Sequence, residues 1–183
     1  MILGEQEYYS YIKVHIELLF YCYCKMKGIK EGLSFEKFIR KPFTAKVEAR
    51  NFFNEKPELL DSYLTENHKL TSIEKNILNG FKLKITSKFI ILKQLRNYAV
   101  FMDVYSERFY AVLALSDTFH GLLESFPVLI NTTILPFNGK IIYDGFMTKE
   151  VNIGKNMENN LLSQYKTARE NNAIIKEILF KIN

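Results

Sequence analysis

The chain has no tryptophan, and only two cysteines, four prolines and eight glycines in 183 residues. The glycines stand singly, which excludes a Walker loop and a dinucleotide fingerprint, because both need clustered glycines where backbone meets phosphate. The cysteines, Cys22 and Cys24, would lie about 200° apart on a helix and cannot bridge there. Two lone thiols point to a reducing compartment. His15, His68 and His120 show no H-x-x-x-H spacing and no cysteine cluster accompanies them, so the sequence predicts no metal site and no cofactor. A G-x-S-x-G elbow is missing, and neither cysteine has a local activating histidine, so nucleophilic catalysis has no signature. Long uncharged apolar runs are also missing: no window reaches the roughly 18 residues of a membrane span. At the N-terminus Glu5 and Glu7 come first and Glu17 interrupts the apolar stretch 14–24, unlike a signal peptide. The expectation is a cytoplasmic protein with no membrane association.

What the chain has in quantity is apolar and aromatic surface. Hydrophobic residues make up 48%, with eleven Tyr and fifteen Phe, enough to offset chain entropy and build a core. Twenty-five basic and twenty acidic side chains give a net charge of +5, spread along the chain without a basic arm or acidic tail. That excess permits nucleic-acid contact without demanding it. Abundant Lys and Ile with few Gly and Ala point to an A+T-rich gene of a bacterium or mobile element.

Apolar positions Tyr9, Ile12, Ile16, Leu19, Tyr23 and Met26 follow helical spacing, and a second stripe, Tyr8, Tyr11, His15, Leu18 and Cys22, runs beside it. This predicts a helix over about 5–27 that is either a core element or a dimer surface, the core role being favoured. Gly28 and Gly32 end it. Further helices are expected near 34–41, 44–54, 57–66 and 71–82. Thr71 with Glu74 forms a capping box for the last of these.

After Leu83 the periodicity changes to extended. Segments 84–95, 98–105 and 108–115 read as an antiparallel meander. A short helix capped by Ser116 follows. Strands 128–136 and 140–144 then join through Asn138-Gly139, with Pro136 at a strand end or edge. A helix over 156–171 and one or two apolar turns in 173–181 close the chain. The predicted architecture is a single α+β domain: 1–83 mainly helical, 84–145 mainly strands, 146–183 mainly helical, with helices packed on a mostly antiparallel sheet of about five strands.

The segments KPELLDSYLTEN (56–67), LTSIEKNILNGFK (70–82), FIILKQLRNYAVFMD (89–103), YAVLALSD (110–117) and ILPFNGKIIYDGF (134–146) carry a resemblance to an uncharacterised bacterial family, some of whose members end in a cysteine-rich SEC-C motif. The resemblance covers about 52–175, and the last segment is its most specific part. It departs at His68, where such proteins tend to have proline, and in the lack of a cysteine-rich tail within these 183 residues. It implies the fold boundaries and no catalytic residue.

Three candidate sites remain. Tyr143, Asp144 and Gly145, with Lys140, form a candidate surface recognition site, against the structural reading that Asp144 makes a side-chain-to-backbone turn contact. Lys84, Lys88, Lys93 and Arg96, with Phe89 and Tyr98, form a basic-aromatic cluster for nucleic acid. Strand alternation puts Lys84 and Lys88 on one face and Lys93 on the other, and the competing reading is ordinary strand-face lysines. Asp103, Asp144, Glu107 and Lys140 lie near strand ends and could serve a metal-dependent nucleic-acid-processing hydrolase, against the reading that such charges protect strand edges. By elimination, the leading expectation is a non-enzymatic interaction module with an unidentified protein partner and homodimerisation as an option. The hydrolase and a nucleic-acid-binding protein are the alternatives.

Overall fold

The computed structural model describes residues 2–179. Among them are seven helices and five strands, an α+β architecture. The chain divides into two compact units, a helical unit over Gln6–Lys82 and a barrel unit that comprises 2–5 and the described residues from Leu83 onward. The expectation of one domain rested on length and on the lack of a repeat or low-complexity linker between the helical and extended regions. The division falls where the apolar period changes from helical to extended, and each side gathers its own aromatic core.

In the helical unit, α1 spans Glu5–Lys27, α2 Phe35–Ile39, α3 Phe43–Glu55, α4 Leu59–Glu66 and α5 Ser72–Gly80. The α1 bounds match the sequence pattern, and Gly28 ends the helix at φ 64, a left-handed conformation that costs glycine little. Of the two stripes, the second is the more deeply buried. Tyr11, His15, Leu18 and Cys22 are buried, together with Val14, Leu19 and Tyr23, whereas Tyr9 is exposed and Ile16 half-buried. The Thr71–Glu74 capping box forms at α5 as the sequence predicts: Glu74 N–H donates to Thr71 Oγ1 and the Thr71 N–H donates to Glu74 Oε2. Next to it, Phe81 stacks on Tyr11 at 6.1 Å between ring centroids, tilts against His15 at 5.0 Å and meets Phe53 edge-on at 5.9 Å. A second aromatic group, Phe38 with Phe20 and Tyr23, ties α2 to α1.

In the barrel unit, β1 Ile85–Gln94, β2 Ala99–Asp103 and β3 Phe109–Leu113 form the expected antiparallel meander. A short helix, α6 Phe119–Leu122, is capped by Thr118 rather than Ser116, and leads to the hairpin β4 Val128–Phe137 and β5 Lys140–Asn152. β4 returns to lie beside β1, a Greek-key arrangement. β5 then pairs in parallel with β3, closing a barrel in the order β1-β2-β3-β5-β4. This is the connectivity of the five-stranded OB barrel. The Asn138-Gly139 turn has positive φ at both residues, 48 and 69, as a two-residue hairpin turn requires.

Two boundaries differ from the expected ones. β5 runs to Asn152 because an interruption at 144–146 carries it back into register with β4, pairing Met147 with Thr132. α7, Lys155–Glu170, is then followed by extended chain. The described part of the expected turns in 173–181 is not helical. Ile175 adds to the edge of β3, donating to Phe109 O at 2.8 Å and accepting from Ala111 N at 2.9 Å, while 180–181 lie outside the described residues.

The outer face of β1–β3 is closed by α7. Ile90, Leu92, Val100, Met102 and Phe109 pack with Leu161 and Tyr165 in one buried cluster. Both faces of β2 and β3 are therefore buried, which explains why their sequences read as continuous apolar runs rather than alternating ones.

Candidate nucleic-acid interface

Two residues of the candidate surface site, Tyr143 and Asp144, lie in the interior, while Gly145 is half-buried. The Tyr143 ring tilts against Phe119 at 5.3 Å. Asp144 Oδ1 accepts from the Phe146 N–H at 3.1 Å, the side-chain-to-backbone contact that an Asp before Gly favours. Thr132 Oγ1 donates to Phe146 O at 2.6 Å from the facing strand. Together they hold the bulge at which three residues of β5 oppose one of β4. Gly145 sits there at φ 91, and a Cβ would come 3.2 Å from Leu115 Cδ1. Gly145→Ala is expected to cost about 1–2 kcal/mol through backbone strain alone. Thermal denaturation followed by circular dichroism checks this, and an unchanged midpoint would refute it. Lys140 opens β5, half-buried, beside the hairpin turn.

Asp103 has an equally structural setting. It is buried at the end of β2 and accepts hydrogen bonds from Ser87 Oγ and Ser106 Oγ, both at 2.7 Å, and from the Tyr105 N–H at 3.1 Å. Burial pushes its pKa up, but these donors outweigh burial and hold it below the ordinary carboxylate value. Glu107 is exposed in the same turn at φ 55. Among the described residues no three His, Cys, Asp or Glu side chains come together as a metal-holding group.

The four basic residues of β1 and its following loop separate. Lys84 has a buried Nζ, and Lys88 forms an ion pair with Glu150 at 3.0 Å, a contact that raises its pKa. Phe89 is fully buried. Lys93 and Arg96 stay together. Simple alternation would turn Lys93 away from Lys88, but the register shifts between Ile91 and Lys93. The bulge brings Lys93 onto the α7 side, with Nζ 4.3 Å from the Tyr165 ring centroid.

Lys93, Arg96, Tyr98, Tyr165 and Arg169 line a shallow depression of about 350 Å³ at the β1–β2 loop. A second depression of about 400 Å³ shares Tyr98 and Arg169 and adds Asn172 and Lys176. Among the described residues the combined lining contains four cations, two tyrosines and no carboxylate. Arg96, Arg169 and Lys176 are exposed, and Tyr98 is half-buried. Burial raises the pKa of Tyr165, with Tyr98 adding to the effect against Arg169. Arg169 and Lys176 were not among the candidates read from sequence, because only the docking of α7 on the barrel brings them beside a loop more than seventy residues earlier.

No family model, curated protein or solved structure matches this chain. Among the described residues no helix is long and apolar enough to cross a membrane.

Proposed function

We propose that the barrel unit is a non-catalytic module that binds single-stranded nucleic acid at its β1–β2 loop. The observation that carries this reading is the gathering of Lys93, Arg96, Arg169 and Lys176 around Tyr98 and Tyr165, with no carboxylate among the described lining residues. Cations along a groove neutralise successive phosphates, and a partly exposed tyrosine offers a face on which any base stacks. The β1–β2 loop of OB barrels is one of the places where oligonucleotides bind, a fold-level analogy that adds support. Of the other such places, the outer face of β2 and β3 is filled here by α7, and the β4–β5 loop is only the two-residue Asn138-Gly139 turn. Contact is therefore confined to the loop end, and a short footprint follows.

Anisotropy of a labelled oligothymidylate at low salt tests the reading. Affinity should fall with salt with a log–log slope of about −2 to −3, given roughly 0.7 per neutralised phosphate on a single strand. Arg96→Glu combined with Arg169→Glu should weaken binding by about tenfold or more, whereas Lys88→Ala, which alters a lysine already paired with Glu150, should leave it nearly unchanged. No binding at low salt, or equal binding by the Arg96/Arg169 variant, would remove the reading.

A further inference from the structure

The helical unit contains a cleft of about 720 Å³, within the range of small-molecule sites. One wall is apolar, formed by Phe20, Ile29, Leu33, Phe35 and Leu70, with Phe20 and Phe35 packed edge to face at 5.7 Å. The polar part of the lining includes Lys13, Glu17, Tyr21, Glu31, Tyr63, Asn67 and Glu74.

Most of these polar groups already have partners. Glu74 Oε1 accepts from Lys13 at 2.8 Å, and its Oε2 accepts from Thr71 N and Oγ1 at 2.8 and 2.9 Å. The Tyr21 hydroxyl donates to Glu66 at 2.8 Å. Asn67 Nδ2 donates to the Tyr63 hydroxyl at 3.2 Å, which leaves the Asn67 carbonyl oxygen as an acceptor. Glu17 is different. Lys13 and Glu74 act on it through charge, and among the described residues none donates a hydrogen bond to its carboxylate. Burial, reinforced by Glu74 and opposed by Lys13, pushes its carboxyl up. Half-buried Glu17 therefore keeps room for a further donor, and Asn67 and Glu31 add acceptors to the same lining. Lys30 and Lys69 at the mouth are exposed, where water and salt screen them.

We propose that this cleft binds a small amphipathic amine, with its ammonium against Glu17 and the Asn67 carbonyl and its apolar body against Phe20, Leu33 and Phe35. An ammonium supplies three donors and a positive charge to a half-buried carboxylate to which no described residue donates. The apolar wall accounts for an aromatic or branched aliphatic body rather than a bare polyamine. The site lies wholly within the helical unit and does not depend on the nucleic-acid reading of the barrel.

The test is calorimetric titration of the whole chain with 2-phenylethylammonium, beside two analogues of similar shape, 2-phenylethanol and 3-phenylpropanoate. The amine should bind at millimolar concentration or better, and the alcohol and the acid about tenfold more weakly or not at all. Glu17→Gln should weaken the amine by about tenfold with the helical circular dichroism unchanged, and Leu33→Asn, in a loop, should weaken amine and alcohol alike. Absence of amine binding, equal or tighter binding of the acid or alcohol, or an unaffected Glu17→Gln variant would each overturn the proposal.

Discussion

Replacing Phe81 by Ala is expected to destabilise the helical unit by about 3–5 kcal/mol, the range for removing a large aromatic from a packed interior. Phe81 is 3% exposed and contacts three rings: Tyr11 and His15 from α1, and Phe53 from α3. Those partners come from two helices, so no single rotamer change can refill the space, and a cavity lined by rings remains. Such a loss is a large part of a small unit's stability. Urea unfolding followed by the helical signal measures it. Phe81→Leu, which returns part of the volume, should recover part of the loss. By contrast Ile73→Ala, at an exposed position on α5, should change the midpoint little. A Phe81→Ala cost below about 1 kcal/mol would mean that these rings are not the centre of the unit.

The central place of Phe81 also shows where the sequence pattern runs out. Local signals read correctly where the cause is local: the α1 bounds, the Thr71–Glu74 box and the Asn138-Gly139 turn each depend on residues within a few positions of one another. Periodicity also identified a wide apolar surface on α1, but it could not rank the two stripes, because Ile16 and His15 differ in burial only through what packs against them. Burial there follows the aromatic partners Phe81 and Tyr11 rather than side-chain hydropathy. The barrel shows the same limit. Three strands and a hairpin were legible, but their closure depends on β1 pairing with β4 and β3 with β5, contacts distant in sequence. At Asp144-Gly145 the side-chain-to-backbone contact was legible, whereas the strand end expected at 144 was not, because β5 continues past it through a bulge. The candidate interface was half legible for the same reason. Lys93 and Arg96 are neighbours in sequence, whereas Arg169 and Lys176 join them only because Leu161 and Tyr165 anchor α7 on the barrel.

Acidification should weaken the helical unit well before ordinary carboxylates titrate. His15 is 1% exposed, and burial, with Arg50 adding a smaller repulsion, lowers its pKa from 6.5 to about 3. Below pH 6.5 the unfolded chain binds a proton at this position and the folded chain does not. Stability is therefore full above that pH and falls as pH drops toward 3, at a limiting slope of about 1.4 kcal/mol per pH unit. Glu74 adds a later loss of the same sign. Its hydrogen bonds from Lys13 and Thr71 lower its pKa from 4.5 to about 2, so its contribution is present above 4.5 and disappears as pH falls through about 2. Because its partner Lys13 is largely exposed, solvent screening keeps that second contribution small. Between pH 6 and 5 the slope should thus belong mainly to His15. Urea midpoints across that interval should decline for the natural chain and stay nearly level for His15→Gln, which keeps a polar side chain that cannot take up the proton. A slope that survives in His15→Gln would assign the acid sensitivity to other groups and would show that His15 reaches water in the folded state.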